Sequence, residues 1–533
     1  MFIKSLKQSL TAALLLFAFA SVATAQQTSS DARGTVTDDS GSPIADATVV
    51  ITHVPSGSRR STTTGEAGGF FQPGLRVGGP YTITVSADGY RDGMFDQIFL
   101  APGTQKPFDL TLESVGEEIE ELIVTAERTP IQDLSNAIGS AYSSEDIINM
   151  PATNRDVIRT LLRDPLAQSD GSDGNLSVAG INPRFNGLAI DGSLQQDDFG
   201  LGDSTYATAR SPVNLSAVES ASVVAADYDV TTSNFTGGLV NLTIKSGTNE
   251  FTGDAYYDTV TDDFIGDKFD GDQEFDPGDV DDKEYGFTLG GPILKDKLFF
   301  FVSYDEFESA RQTDFRFADE NDGIEPGFFE ALRQYVLDNT GYDPGGRPDT
   351  ASTPETSERL LTKFDWNITD QHRASFTYQD TQEFGTSNVS NTNFEGAWYD
   401  VPVDLTAYTV QFFSDWTDSL STTFRANLKE FERGQICRAG LGVGQFEIEN
   451  LDQDDVIGTP LEGLLTDDPG DIIGGCDRFR HANEYNDERL QLRAKADYFV
   501  GDHVITGGVE YEDFSLFNLF VQSSLGRFIY DGT

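Results

Sequence analysis

From residue 250 onward the chain repeats one pattern: segments of strand length alternate apolar and polar residues, joined by links that are alternately long and short. Between Arg359 and Ile368, Leu360, Phe364, Trp366 and Ile368 share one face, and Arg359, Lys363, Asp365 and Asn367 share the other. Arg373 to Asp380 sets Ala374, Phe376 and Tyr378 against Ser375, Thr377 and Gln379. Leu490 to Val500 likewise sets Leu492, Ala494, Ala496 and Tyr498 against Gln491, Arg493, Lys495 and Asp497. A period of two makes each segment a strand with one apolar face. A soluble sandwich would alternate too, so the link lengths carry the distinction. About nine strands are predicted, with long links at 259–283, 311–356, 385–405 and 435–486 and short ones at 290–297, 369–372, 417–419 and 501–503. Gathering every long link at one end is the asymmetry of membrane-spanning barrels, whose strands need only ~9–11 residues to cross.

The start of the chain agrees with that destination. Lys4 and Lys7 precede an apolar run from Leu10 to Val22 and an Ala23-Thr24-Ala25 site, which predicts a secretory signal over residues 1–25 cut between Ala25 and Gln26. No later stretch reaches the ~20 consecutive apolar residues of a spanning helix. With 36 basic and 88 acidic residues the net charge is −52, which repels nucleic acid at long range. Disordered acidic chains are poor in aromatics, and 39 Phe with 18 Tyr mark this one as folded. The two cysteines, Cys437 and Cys476, both fall in the long link 435–486. In an exported chain they point to a disulfide rather than to catalysis. A zinc pair is disfavoured, because His481 is the one imidazole nearby and leaves such a site a ligand short.

Residues 26–115 predict a small β-sandwich: β-branched runs at Arg33 to Thr37, Thr48 to Thr52 and Tyr81 to Ser86 alternate with turns at Gly41-Ser42-Pro43, Gly68-Gly69 and Gly78-Gly79-Pro80. The order RGTVTDDSGSPIADATVVI, TTGEAGGFF, YTITVSADGY resembles the carboxypeptidase regulatory-like domain, which implies an accessory module and no peptidase site. Its one histidine, His53, has no second ligand in view. A linker at 116–130 follows, acidic at first, and holds Glu121-Leu122-Ile123-Val124-Thr125-Ala126. Alone this reads as an ordinary edge strand, but ahead of a new domain it could add itself to a partner's sheet. The segment EELIVTAERT resembles the TonB box of TonB-dependent receptors, which implies a TonB-type periplasmic coupling protein as partner.

Residues 131–249 predict an α+β domain, with a helix capped by Ser144, a second helix over NRDVIRTLLRDP, and Gly-punctuated strands. AGINPRFNGLAIDGSLQQDDFGLG and SNFTGGLVNLTIKSGTNEFTGDAYY resemble the plug of the Oar-like TonB-dependent receptors, and YGFTLGGPILKDKLFFFVSYDEF resembles the opening strands of their barrel. Ala179-Gly180 stands where siderophore-receptor plugs carry Arg-Gly, which weakens the inference of a siderophore ligand. The resemblance implies a mainly β chain in the Gram-negative outer membrane: sandwich, plug, then residues 250–533 as the first part of a barrel of about 22 strands. It also implies contact with outer-membrane lipid and an external ligand not named by the sequence.

No catalytic constellation accompanies this. His53, His372, His481 and His503 are scattered, and no nucleophile stands beside a base. The acidic stretch Asp262 to Glu284 lacks the Gly spacing of a calcium loop and predicts a solvated loop. No metal, cofactor or enzyme activity is expected. The functional expectation is energised import by plug displacement. The alternative is an adhesion, export or signalling protein that uses the same barrel and its long acidic loops, with Trp398-Tyr399 among the loop aromatics.

Overall fold

The computed structural model describes residues 28–101, 105–115, 122–125, 137–150, 155–169, 175–200, 205–232, 235–265, 268–269, 273–274, 279–501 and 503–531. The secretory signal, with Ala25 and Gln26, lies outside the described residues, as do Glu121 and Ala126. Strands dominate, and no described helix is long and apolar enough to cross a membrane.

The N-terminal unit is two packed sheets. Strands β1 (Ser30–Asp38), β4 (Gly69–Leu75), β7 (Gln105–Pro107) and β8 (Leu110–Leu112) form one. The other runs β3 (Ser58–Thr63), β2 (Thr48–His53), β5 (Gly78–Ser86), β6 (Gly93–Leu100) and β9 (Leu122–Thr125). Alternation in β2 and β5 turns Val49, Ile51, Ile83 and Val85 inward onto Val36, Phe70 and Leu110 of the facing sheet. Gly78-Gly79-Pro80, expected as a turn, instead opens β5, where the register shifts before Tyr81.

A second unit carries a five-stranded sheet in the order Ala137–Ser143, Val218–Asp227, Leu239–Ile244, Gly187–Ile190, Ser193–Leu194. The helix Ser144–Ile148 is capped one residue earlier than expected. Ser143 accepts from the Asp146 amide at 3.3 Å while the Asp146 carboxylate accepts the Ser143 amide at 3.1 Å, a reciprocal capping box. The second helix is a single turn, Ile158–Leu161, where a longer one was expected. Pro165 cannot continue it, and Asp156 takes the Ile158 amide at its start.

Nine long strands form the wall: Thr252–Thr261, Val280–Leu294, Leu298–Asp314, Thr350–Asn367, His372–Ser387, Tyr399–Thr417, Leu420–Gly434, Asn483–Val500 and His503–Phe520. Each pairs antiparallel with the next, in chain order. The alternation resolves as apolar outside and polar inside: Phe364, Trp366, Phe376 and Tyr498 are exposed, whereas Arg359, Lys363, Thr377, Gln379 and Gln491 are buried. The strands reach 19 residues, longer than a bilayer requires, because paired hairpin arms continue into water on the long-link side. The links are correspondingly shorter than expected. Asp281, Asp282 and Glu284 of the acidic stretch therefore belong to a strand, and Asp282 is bonded to Ser309 and Arg311 rather than solvated. Gly290-Gly291-Pro292 also lies in that strand, at a register shift that spares the ladder the proline's missing amide. If the outer face meets hydrocarbon, Val410→Arg, between Tyr408 and Phe412, should destabilise the wall by roughly 2–4 kcal/mol; denaturant unfolding in lipid vesicles measures it.

Candidate functional site

The second unit sits inside the wall, and the boundary between them is almost wholly polar. Its apolar core is its own: Leu188, Ile190, Val223, Val240 and Leu242 pack on Ile147, Ile158 and Leu161, and the wall adds only Phe301 and Leu361 to that cluster. Ala207 makes a smaller apolar contact with Val403, Leu405 and Phe431, Gln379 and Thr381 donate to the Pro212 carbonyl, and charged pairs make much of the rest of the seam. Asp191 and Gly192 turn the short hairpin with φ of 47° and 78°, the left-handed geometry of an Asp-Gly turn. That turn leaves the Asp191 carboxylate bridging the Ile244 amide (2.9 Å) and Lys363 of the wall (2.8 Å). Asp198 meets Lys429 at 2.7 Å and Arg489 at 2.6 Å, and Lys429 also reaches Asp487 at 3.0 Å. Arg210 pairs with Glu284 at 2.7 Å, and Arg359 pairs with Glu284 and Asp305 while donating to the Ser211 carbonyl at 2.8 Å. Glu383 accepts from the amides of Ala209 and Arg210.

Such a seam fixes position without strong net adhesion. Each buried charge loses hydration, and the attraction inside largely repays that loss rather than exceeding it. The interior unit thus has its own apolar core and a largely polar boundary with the wall.

The sequence-predicted residues fall at three separate places. Leu122–Thr125 do not form a free linker: they add to the N-terminal sheet as edge strand β9, parallel to Gly93–Asp96 of β6. Cys437 and Cys476 are buried and joined by a disulfide with Cα atoms 5.4 Å apart. The bond lies beside a folded unit, built from the long links, whose core includes Ile324, Phe328, Phe394, Phe446, Leu465 and Ile472. His481 Nδ1 accepts the Leu525 amide and its Nε2 faces the Cys476 carbonyl at 2.9 Å, so the ring braces the segment beside the bridge. Trp398, expected as a loop aromatic, is buried beneath Arg438. His53 is enclosed beside Tyr81 and Ser56, and burial, with Arg76 and Arg373 nearby, brings its imidazole down to about 3. Among the described residues no group of three His, Cys, Asp or Glu side chains could hold a metal.

The seam and the external unit were not anticipated. Asp191-Gly192 was visible as a turn dipeptide, but its partner Lys363 stands far along the chain, and no local pattern pairs them.

A long antiparallel wall, polar on one face and apolar on the other, with a separately folded unit against its polar face, is the architecture of an outer-membrane β-barrel domain. Residues 32–113 match the carboxypeptidase regulatory-like domain and residues 243–320 match an outer membrane beta barrel domain. The TonB-dependent transporter Oar of Myxococcus xanthus is 24% identical over 291 residues, 51% of this chain and 26% of the relative. The outer membrane transporter YddB of Escherichia coli superposes with a TM-score of 0.50 at 13% identity, covering 74% of this chain and 50% of that one. The chain thus spans about a quarter of the length of that curated relative and half of that solved structure. It is an outer-membrane protein with a regulatory-like domain and a β-barrel domain, and a homologue of the TonB-dependent transporters. Both of these relatives are named as transporters.

Two outcomes follow from the site. Replacing Cys437 and Cys476 by Ser should cost the external unit roughly 3–4 kcal/mol on the chain-entropy account, read as earlier proteolysis of residues 440–475. Glu219 of the interior unit packs over Gly78 of β5, and burial lifts its carboxyl to about 7, against Lys245 and Lys363, which pull it down. A carboxyl raised from an ordinary value near 4.5 favours the assembled state when protonated. The contact should therefore be firmest near pH 4.5 and loosen as the pH climbs through 7. Once the base-catalysed rise of intrinsic exchange is divided out, protection of the Thr82 and Ile83 amides should fall between pH 5 and pH 8, and Glu219→Gln should remove that fall.

Proposed function

We propose that this chain is part of a TonB-dependent importer in which the interior unit is the plug and Leu122–Thr125 the segment a periplasmic coupling protein grips. The observation that carries the reading is the seam: a separately cored body held in a polar-lined wall mainly by ion pairs and hydrogen bonds suits a plug displaced by force. The coupling segment supports it. Among the described residues Leu122–Thr125 form an edge strand paired on one side only, to β6, and an edge of this kind suits addition of a partner strand.

The external unit supplies a surface for the ligand. Beside its core lies a cavity of about 730 Å³ whose lining includes Tyr335, Tyr342, Phe446, Val456 and Tyr530. Aromatic and aliphatic walls of this kind suit a ligand with apolar or ring surfaces. No nucleotide or metal is required, because the work comes from the inner-membrane gradient through the coupling protein. The name of the relative, a TonB-dependent transporter, agrees with this assignment.

Ile123→Pro is the direct test. Proline removes an amide from the four-residue strand and cannot sit in a paired strand interior. Capture of the receptor by the periplasmic domain of a TonB-type protein should fall to background, while external-loop folding, followed by antibody binding to whole cells, stays at the wild-type level. Undiminished capture of the proline variant would place the coupling segment elsewhere.

A further inference from the structure

The N-terminal sandwich is not tethered loosely below the barrel. It touches all four short turns of the wall. Gly57 lies against Asp296 in the first. Arg60 donates to the Asp370 carbonyl in the second (2.9 Å), Thr63 to the Asp418 carboxylate in the third (3.3 Å), and the Phe71 ring lies 6.2 Å from Phe499 beside the fourth. Its strongest contacts reach past the rim. Arg60 pairs with Asp415 at 2.9 Å and Arg76 with Asp365 at 3.0 Å, and Arg373 donates to the Gly74 carbonyl at 3.2 Å. Asp365 and Arg373 are inward-facing, buried residues of the wall. The sandwich is therefore seated across the mouth of the lumen rather than on the outer surface of the barrel.

It also meets the interior unit. A polar cavity of about 100 Å³ is walled by His53 and Arg76 of the sandwich, Asp191 and Glu219 of the interior unit, and Lys363 and Arg373 of the wall. Anything leaving the lumen toward the short turns runs into the sandwich first. The segment proposed as the coupling strand is paired to this same body, in parallel register with β6.

We propose that the N-terminal sandwich is a periplasmic gate, which the coupling strand must unseat from the rim before the interior unit can move. The inference rests on the coupling role given to Leu122–Thr125 for its driving force, and on the rim contacts alone for the closure. A pull on β9 loads the β6 pairing and then the pairs at Asp365 and Asp415. These pairs are buried but few, so they yield before the many-partnered seam around Asp191 and Asp198. Opening is thus ordered: gate first, interior unit second.

Force spectroscopy on the full chain in a lipid bilayer tests this. The periplasmic face is pulled through a handle on Thr125→Cys, which labels selectively because Cys437 and Cys476 are bonded to each other. The expected trace shows a low-force rupture without unfolding, followed by extension of the interior unit. Arg60→Glu should lower the first rupture force. A short thiol cross-link between Thr63→Cys and Asp418→Cys, formed before the handle is attached, should abolish that rupture. Identical traces with and without the cross-link would overturn the gate. Repeating the pull with a tip carrying a TonB-type periplasmic domain separates the two readings. Failure to grip there, with the ordered ruptures retained through the cysteine handle, refutes the coupling strand and leaves the gate standing.

Discussion

Hydrocarbon offers no hydrogen bonds, so every backbone amide that crosses it must be satisfied by another strand, and the rest of this structure depends on that constraint. Among the described residues, the nine wall strands meet it along every seam between chain neighbours. Pairing in chain order makes every connection a hairpin, and hairpins sort the links into two ends. The end with short turns is flat enough to seat the sandwich. The end with long links has the length to build a folded unit with its own core. The period of two that turns Trp366 outward also turns Lys363 and Asp365 inward. A membrane requirement on one face thereby creates the charged lining on the other.

That lining decides what can sit inside. Lys363, Lys429 and Arg489 would be costly if left unpaired, and Asp191 and Asp198 of the interior unit satisfy them. The charges on the two sides are complementary rather than redundant: the wall supplies most of the cations and the interior unit the turn-borne acids. Complementary charge specifies one seat among many without the adhesive strength of an apolar interface. The sandwich repeats this logic with the signs exchanged, since Arg60 and Arg76 approach Asp415 and Asp365. The chain thus uses mainly polar and charged contacts between bodies, and apolar cores within each body.

Much of the wall could be read from the sequence because its determinant is local: Leu360 through Ile368 declare inside and outside residue by residue. The sandwich was legible for the same reason, its strands separated by turn residues. Strand ends were not, since extension past the bilayer depends on the neighbouring hairpin, and Asp282 and Glu284 looked like loop acids until their partners Arg311 and Arg359 were in place. The cap at Ser143 rather than Ser144 was hidden because adjacent serines offer the same hydroxyl, and only the geometry at Asp146 chooses between them. The pairing of Leu122–Thr125 with β6 and the seam at Asp198 join residues far apart in the chain. Their cause is tertiary, and one sequence carries no trace of it.

The central claim is that the interior unit leaves its seat under force from the periplasm. Ser193 reports on it most directly, being buried in the hairpin that packs against the wall strands Tyr399–Thr417 and Leu420–Gly434. With Ser193→Cys in otherwise unaltered cells, labelling by a membrane-impermeant maleimide can be compared before and after collapse of the inner-membrane gradient. The account predicts labelling in energised cells that disappears when the gradient is removed. Equal labelling in the two conditions, or none in either, would contradict it.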